Sequence, residues 1–141
     1  MTDSNLRAHH VGITVSDLDA VLPFYRDVLG LSVANRFSVG GEAFADAVAV
    51  EDARGEFAHL DAEGVRVELV EYDPEGDAAE AGALNQPGAT HLALKVDDLE
   101  AFARELSEDV STISEPRTTE SGTSILFLRD PEDNLVEILE P

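Results

Sequence analysis

The sequence contains no cysteine. That excludes disulfides, thiolate metal sites and cysteine nucleophiles, and it leaves the redox compartment open. No apolar run approaches the roughly 18 residues that a membrane-spanning helix requires. The opening stretch from Met1 to Arg7 has no apolar signal region, so the expectation is a soluble, cytoplasmic protein. Lysine is almost missing. Lys95 stands alone beside eight arginines.

Positive charge is scarce overall, with 9 basic against 30 acidic residues and a formal net charge of −21. Residues 1–72 carry 13 acids and 5 bases, residues 73–141 carry 17 and 4, so the excess is spread along the chain and is not an acidic tail. Such a surface repels a phosphate backbone, which argues against nucleic acid as a partner, and it repels an anionic membrane surface in the same way. Disorder is the other reading of high charge. A hydrophobic content of 43% with clear periodicity argues against it. Pervasive acid with one lysine has the style of a salt-loving organism, in which high salt screens the self-repulsion of the folded state.

At 141 residues the chain is long enough to bury a core without staples. Its clearest pattern is an echo. His10-Val-Gly-Ile-Thr-Val-Ser-Asp-Leu-Asp-Ala20 is answered by His91-Leu-Ala-Leu-Lys-Val-Asp-Asp-Leu-Glu-Ala101, at an offset of 91 − 10 = 81. Val67-Glu-Leu-Val-Glu71 is answered by Val136-Glu-Ile-Leu-Glu140, at 137 − 68 = 69. The chain reads as a duplication in which each half starts with a histidine strand and ends with a glutamate strand.

The elements follow from periodicity. Residues 8–15 alternate as a strand, with Val11, Ile13 and Val15 opposite His10, Gly12 and Thr14. Leu18, Val21, Leu22, Tyr25, Val28 and Leu29 form a helical stripe, capped by Ser16 or Asp17 and stopped by Gly30. Pro23 predicts a kink or a late helix start. A strand is expected over 31–39. Residues 42–54 are ambiguous, with a composition that allows a short helix. Residues 56–62 and 65–72 read as a hairpin around Glu63-Gly64. The second half repeats this order: strand 90–96, helix 98–108, strands near 111–117 and 123–129, a turn at Asp130–Asn134, and strand 135–140. The expected architecture is α+β, with one module over 1–72, a linker over 73–88 and a second module over 89–141.

Alternation sets Glu68 and Glu137 on the faces opposite their apolar neighbours. A lone strand glutamate is ordinarily solvated, and a lone strand histidine ordinarily packed. Two histidines and two glutamates at matching places in two repeats weigh differently. If the halves pair about a pseudo-twofold axis, His10, Glu68, His91 and Glu137 converge, and carboxylates facing a concave interior call for a cation. Gly12 and Ala93, two residues after each histidine and on its face, would leave room there; ordinary close packing would explain them equally. His9 is expected to point away from His10. His59 is expected to be incidental, with Leu128 as its counterpart at the 69 offset.

These stretches resemble the vicinal oxygen chelate superfamily, which includes glyoxalase I, methylmalonyl-CoA epimerase, extradiol dioxygenases, and fosfomycin or bleomycin resistance proteins. The resemblance rests on His10-Val-Gly-Ile-Thr-Val with Asp17-Leu, Phe24-Tyr25 and Val28-Leu-Gly-Leu31. It extends through His91-Leu-Ala-Leu-Lys-Val-Asp97-Asp-Leu, Phe127-Leu-Arg-Asp-Pro131 and Asn134-Leu-Val-Glu137. It implies two βαβββ modules that form a metal-binding cup, built within one chain or swapped between two, and a homodimer. It further implies His10, Glu68, His91 and Glu137 as ligands of one divalent ion: Ni, Co, Mn, Zn or Fe.

Glu68 is the discriminating residue. Extradiol relatives need only two histidines and one carboxylate, which His10, His91 and Glu137 would supply. A fourth ligand resembles glyoxalase I and comes close to the epimerase. The implied reaction is a lyase or isomerase step on a small molecule, with proton abstraction beside a chelated carbonyl through an enediolate or enolate. Glu137 is favoured as base and Glu68 as the second acid–base group, and the symmetric assignment stays open. Anionic substrates of such relatives would need basic neighbours. Arg36, Arg66, Lys95, Arg117 and Arg129 are candidates, although surface ion pairing would explain each. Arg66 on the Glu68 face and Lys95 on the His91 face are the better placed. The alternatives are an extradiol dioxygenase and a metal-free drug-binding or resistance protein.

Overall fold

Alternating apolar residues and well-placed caps build nearly every expected element. The computed structural model describes residues 5–80 and 82–141. Residues 1–4, at the start of the stretch read as lacking a leader, and residue 81, inside the expected linker, lie outside them. The chain is α+β and divides into two compact units, Met1–Gly76 and Asp77–Pro141. Among the described residues, no helix is long and apolar enough to cross a membrane.

In the first unit, β1 (His10–Thr14) leads into α1 (Leu18–Pro23), followed by β2 (Ser32–Val39), α2 (Glu42–Val48), β3 (Arg54–Asp61) and β4 (Arg66–Asp73). The sheet order is β1-β4-β3-β2, with β1 parallel to β4 and the other pairs antiparallel. The Asp17 side chain caps α1 by accepting the Ala20 amide at 3.1 Å. Leu18, Val21, Leu22 and Tyr25 of the helical stripe are buried with Ala58, Leu60, Val67 and Leu69 of β3 and β4. Each large apolar side chain so buried contributes about 1.5–3 kcal/mol.

Of the two outcomes expected at Pro23, the late helix start does not occur, and the winding changes at the proline instead. The helix begins at Leu18, passes through Pro23 and widens into a π turn over Phe24–Val28, where the Leu29 amide reaches back five residues to the Phe24 carbonyl at 3.0 Å. Proline has no N–H and crowds the carbonyl four residues before it, so regular α winding is disrupted there. Gly30 then ends the helix at φ +75°.

In the second unit, β5 (Leu92–Lys95) leads into α3 (Leu99–Glu105). The strands β6 (Ser111–Thr112), β7 (Arg117–Thr118), β8 (Ser124–Arg129) and β9 (Leu135–Glu140) follow. The order is β5-β9-β8-β6, and β7 also pairs with β8. The strand expected over 111–117 is therefore split in two. Pro116 interrupts it, because it has no N–H to give the ladder. Leu99 is buried with Leu126, Leu128, Val136 and Ile138, the same face of the same strands as in the first unit.

Candidate metal centre

Strand register assembles the first unit's polar cluster. Parallel pairing sets Gly12 beside Glu68, and antiparallel pairing sets Glu68 beside His59. Those positions form one line across β1, β4 and β3, on the face away from α1. From two residues before Gly12, the His10 ring reaches Glu68, with Nε2 3.4 Å from Oε2. His59 Nε2 lies 2.7 Å from the same oxygen, within hydrogen-bond distance. Glu68 is thus a largely buried carboxylate whose Oε2 is shared by two imidazoles.

The second unit repeats half of this. Ala93 stands beside Glu137, which stands beside Phe127. His91 Nε2 lies 3.1 Å from Glu137 Oε1. Phe127 meets His91 edge-on, with ring centroids 5.1 Å apart, and offers no donor. Each histidine of the sequence echo is therefore in contact with the glutamate of its own unit.

His59 corrects the sequence reading in two ways. It is part of the cluster, only 6% exposed. Its counterpart is Phe127 and not Leu128, because both stand opposite the glutamate in register. The turn between β8 and β9 is one residue longer than that between β3 and β4, so residues before the turn are offset by 127 − 59 = 68 and those after it by 69. The signal was present: a hairpin centred on Glu63-Gly64 pairs Asp61 with Arg66, and counting back pairs His59 with Glu68.

His9 also departs from expectation. Its Nδ1 lies 2.8 Å from His10 Nδ1, so it does not point away. That contact occupies one nitrogen of His10 and leaves Nε2 for Glu68, the arrangement by which a second histidine nitrogen orients a ligating one. Gly12 leaves less to explain. A Cβ built on it would lie 3.7 Å from Glu68 Oε1, an ordinary contact. Arg66 pairs in register with His10 and with Asp61 on the Glu68 face, and Lys95 follows Ala93 on the His91 face. Both are exposed.

The donor set of the first unit fits a divalent ion. His10, His59 and Glu68 each offer a ligand atom, and these atoms lie within 4.8 Å of one another. Two donors bound to one ion at about 2.0–2.2 Å lie no more than about 4.4 Å apart, so small side-chain shifts would close the set. Imidazole and carboxylate together suit Zn, Fe, Co, Ni or Mn.

A profile of the Glyoxalase/Bleomycin resistance protein/Dioxygenase superfamily matches residues 7–138. Among solved structures, a glyoxalase family protein from Bacillus cereus is similar at a TM-score of 0.85 and 22% identity, over 99% of this chain and 97% of that one. Lactoylglutathione lyase from Agrobacterium tumefaciens gives a TM-score of 0.63 at 19% identity, over 99% and 96%. TioX from Micromonospora sp. ML1 gives 0.64 at 16%, over 96% and 98%. Among curated proteins, no match is found. At these identities the solved structures speak to fold.

Proposed function

Because the chain belongs to the Glyoxalase/Bleomycin resistance protein/Dioxygenase superfamily, matched over residues 7–138, we propose that it is a divalent-metal-dependent lyase or isomerase of the glyoxalase I type. The observation that carries this reading is the repeated histidine–glutamate contact, 3.4 Å for His10–Glu68 and 3.1 Å for His91–Glu137. His10, Glu68, His91 and Glu137 are its metal ligands. Nickel, cobalt, manganese, zinc and iron all suit two imidazoles with two carboxylates. When bound, such an ion polarises a carbonyl and stabilises the negative charge that develops beside it.

The chain's own residues supply the proton transfer. Glu137 takes the proton next to the carbonyl, and Glu68 is the second acid–base group. The asymmetry of contacts supports this order: Glu68 is held by two imidazoles and Glu137 by one, which leaves Glu137 freer to move between partners. Arg66 and Lys95 would receive the charge of an anionic small-molecule substrate. A cytoplasmic homodimer is the assembly this reading expects. The net charge of −21 disfavours nucleic acid and anionic membrane as partners.

One observation favours a second reading. His10, His59 and Glu68 are two histidines and one carboxylate on a single sheet face, the ligand types of non-haem iron oxygenases. An extradiol dioxygenase would use such a set with Fe(II). The test is to load the purified protein separately with Ni(II), Co(II), Mn(II), Zn(II) and Fe(II). Each form is then assayed for methylglyoxal–thiol lyase activity and for catechol cleavage. Lyase turnover that Glu137→Gln abolishes supports the first reading. Ring cleavage with Fe(II) alone replaces it with the second. Tight drug binding without turnover or metal uptake would leave a binding protein of the same fold.

A further inference from the structure

We propose that the first unit by itself holds a divalent cation through three protein donors, His10 Nε2, His59 Nε2 and a Glu68 carboxylate oxygen. The inference rests on the metal dependence proposed above and changes what anchors the ion: His59 becomes a ligand, and the two halves cease to be equivalent.

Three features of this chain carry it. Both imidazole Nε2 atoms converge on a single oxygen, Glu68 Oε2, at 3.4 and 2.7 Å. Two histidines that meet one carboxylate oxygen have already brought their nitrogens to where one cation could touch all three groups. Further, the His59 ring is fixed from behind. It is buried, and it meets Phe37 edge-on at 5.1 Å, while Phe37 itself stacks on Phe57 at 5.1 Å. A ligand whose rotamer is locked by packing loses little entropy on binding. Finally, His9 engages the Nδ1 of His10, which leaves Nε2 turned toward Glu68 as the ligating atom.

The second unit lacks these features. Phe127 holds the place of His59, so among the described residues the matching positions there offer two donors, His91 and Glu137. Two donors bind a first-row divalent ion far more weakly than three, so of the two units the first is the one that anchors an ion. The duplication is thus broken by one side chain in one register position.

The test uses the full-length protein and Co(II), read by isothermal titration and by the visible absorption of the bound ion. Three variants are compared: His59→Phe, which installs the residue of the second unit; His59→Gln, which keeps an N–H donor but no imidazole; and the double variant His91→Ala/Glu137→Ala. Circular dichroism melts establish that each is folded, and if His59→Phe is not, His59→Gln carries the comparison. The expected result is one Co(II) per chain for the double variant, within about tenfold of the native affinity. Both His59 variants should lose more than about 100-fold, beyond the 10–100-fold typical of removing an outer partner of a ligand.

Other outcomes overturn the proposal. Rescue by His59→Gln would make His59 a residue that only orients Glu68. Native affinity in both His59 variants, with loss in the double variant, would leave the four-ligand reading standing and this one refuted. Loss in all three would show that the first unit is not sufficient. A native protein that takes up no Co(II) would refute both readings.

Discussion

Glu71 Oε1 accepts the backbone N–H of Leu18 at 2.8 Å, across 53 residues of chain. The first amide of α1 is thereby satisfied from the last strand of its unit, which ties helix to sheet. The second unit repeats the bond, with Glu140 Oε1 2.9 Å from the Leu99 amide. Here the second glutamate of each Val-Glu-x-x-Glu echo finds its role: Glu68 and Glu137 each meet the histidine of their own unit, and Glu71 and Glu140 serve the helix starts. An amide at a helix start has no partner within the helix, and a negative charge there is favoured by the helix dipole.

Glu71→Ala should lower the unfolding free energy by about 1–2 kcal/mol, the range for a lost cap and an unpaired amide. Glu71→Gln keeps an acceptor oxygen and loses only the charge, so it should lose about 0.3–1 kcal/mol. Urea unfolding of the two variants checks this order. Equal losses would mean that the bond contributes nothing beyond charge.

Gly12 and Gly55 should respond to alanine in opposite directions. A Cβ on Gly12 meets nothing closer than 3.7 Å, and Ala93 already fills the equivalent place in the second unit. Gly12→Ala should therefore be neutral or stabilise by about 0.4–1 kcal/mol, through loss of freedom in the unfolded chain. A Cβ on Gly55 would lie 2.6 Å from Phe57 Cε1 and 2.9 Å from Cζ. The Phe57 ring cannot retreat without leaving its stack on Phe37 and its edge contact with Phe44. Gly55→Ala should destabilise by about 1–3 kcal/mol, as overpacking does. Thermal melts of the pair would sink the argument if the two alanines behaved alike.

How much of this was legible follows from the offsets between the halves. Histidine strands and helix caps repeat at 81, because Asp17 and Asp98 begin their helices in the same way, each accepting the amide three residues on. The strands before the final turn repeat at 68. The difference, 81 − 68 = 13, is the excess of the first unit, and it falls around α2 (Glu42–Val48). That segment was ambiguous because it has no echo, and its helix buries no residue of its own. His59 was missed because a motif match follows sequence offset, whereas the cluster follows register. One added residue in the turn at Asp130–Asn134, where the buried Asp130 accepts the Glu132 and Asn134 amides, shifts every count across it. The glutamate caps were missed because they join residues 53 and 41 apart, a contact that periodicity does not encode.

Charge gives the last prediction. The chain carries 30 acids against 9 bases, and exposed pairs such as Arg36–Asp19 at 3.1 Å neutralise few of them. Folding brings the remaining carboxylates closer together than they are in the open chain, so the net charge opposes the compact state. Screening weakens that repulsion as the Debye length falls from about 10 Å at 0.1 M salt to about 3 Å at 1 M. The urea midpoint should therefore rise with KCl and level off near 1 M, once the screening length is shorter than the spacing of surface charges. Replacing exposed Glu108, Glu115 and Glu120 by lysine removes three negative charges and adds three positive ones, a net shift of +6 in the second unit. That triple variant should be more stable than the native chain in dilute buffer and respond less to KCl. A native midpoint that does not move between dilute buffer and 2 M KCl would show that self-repulsion is not what limits this fold, whatever the composition implies.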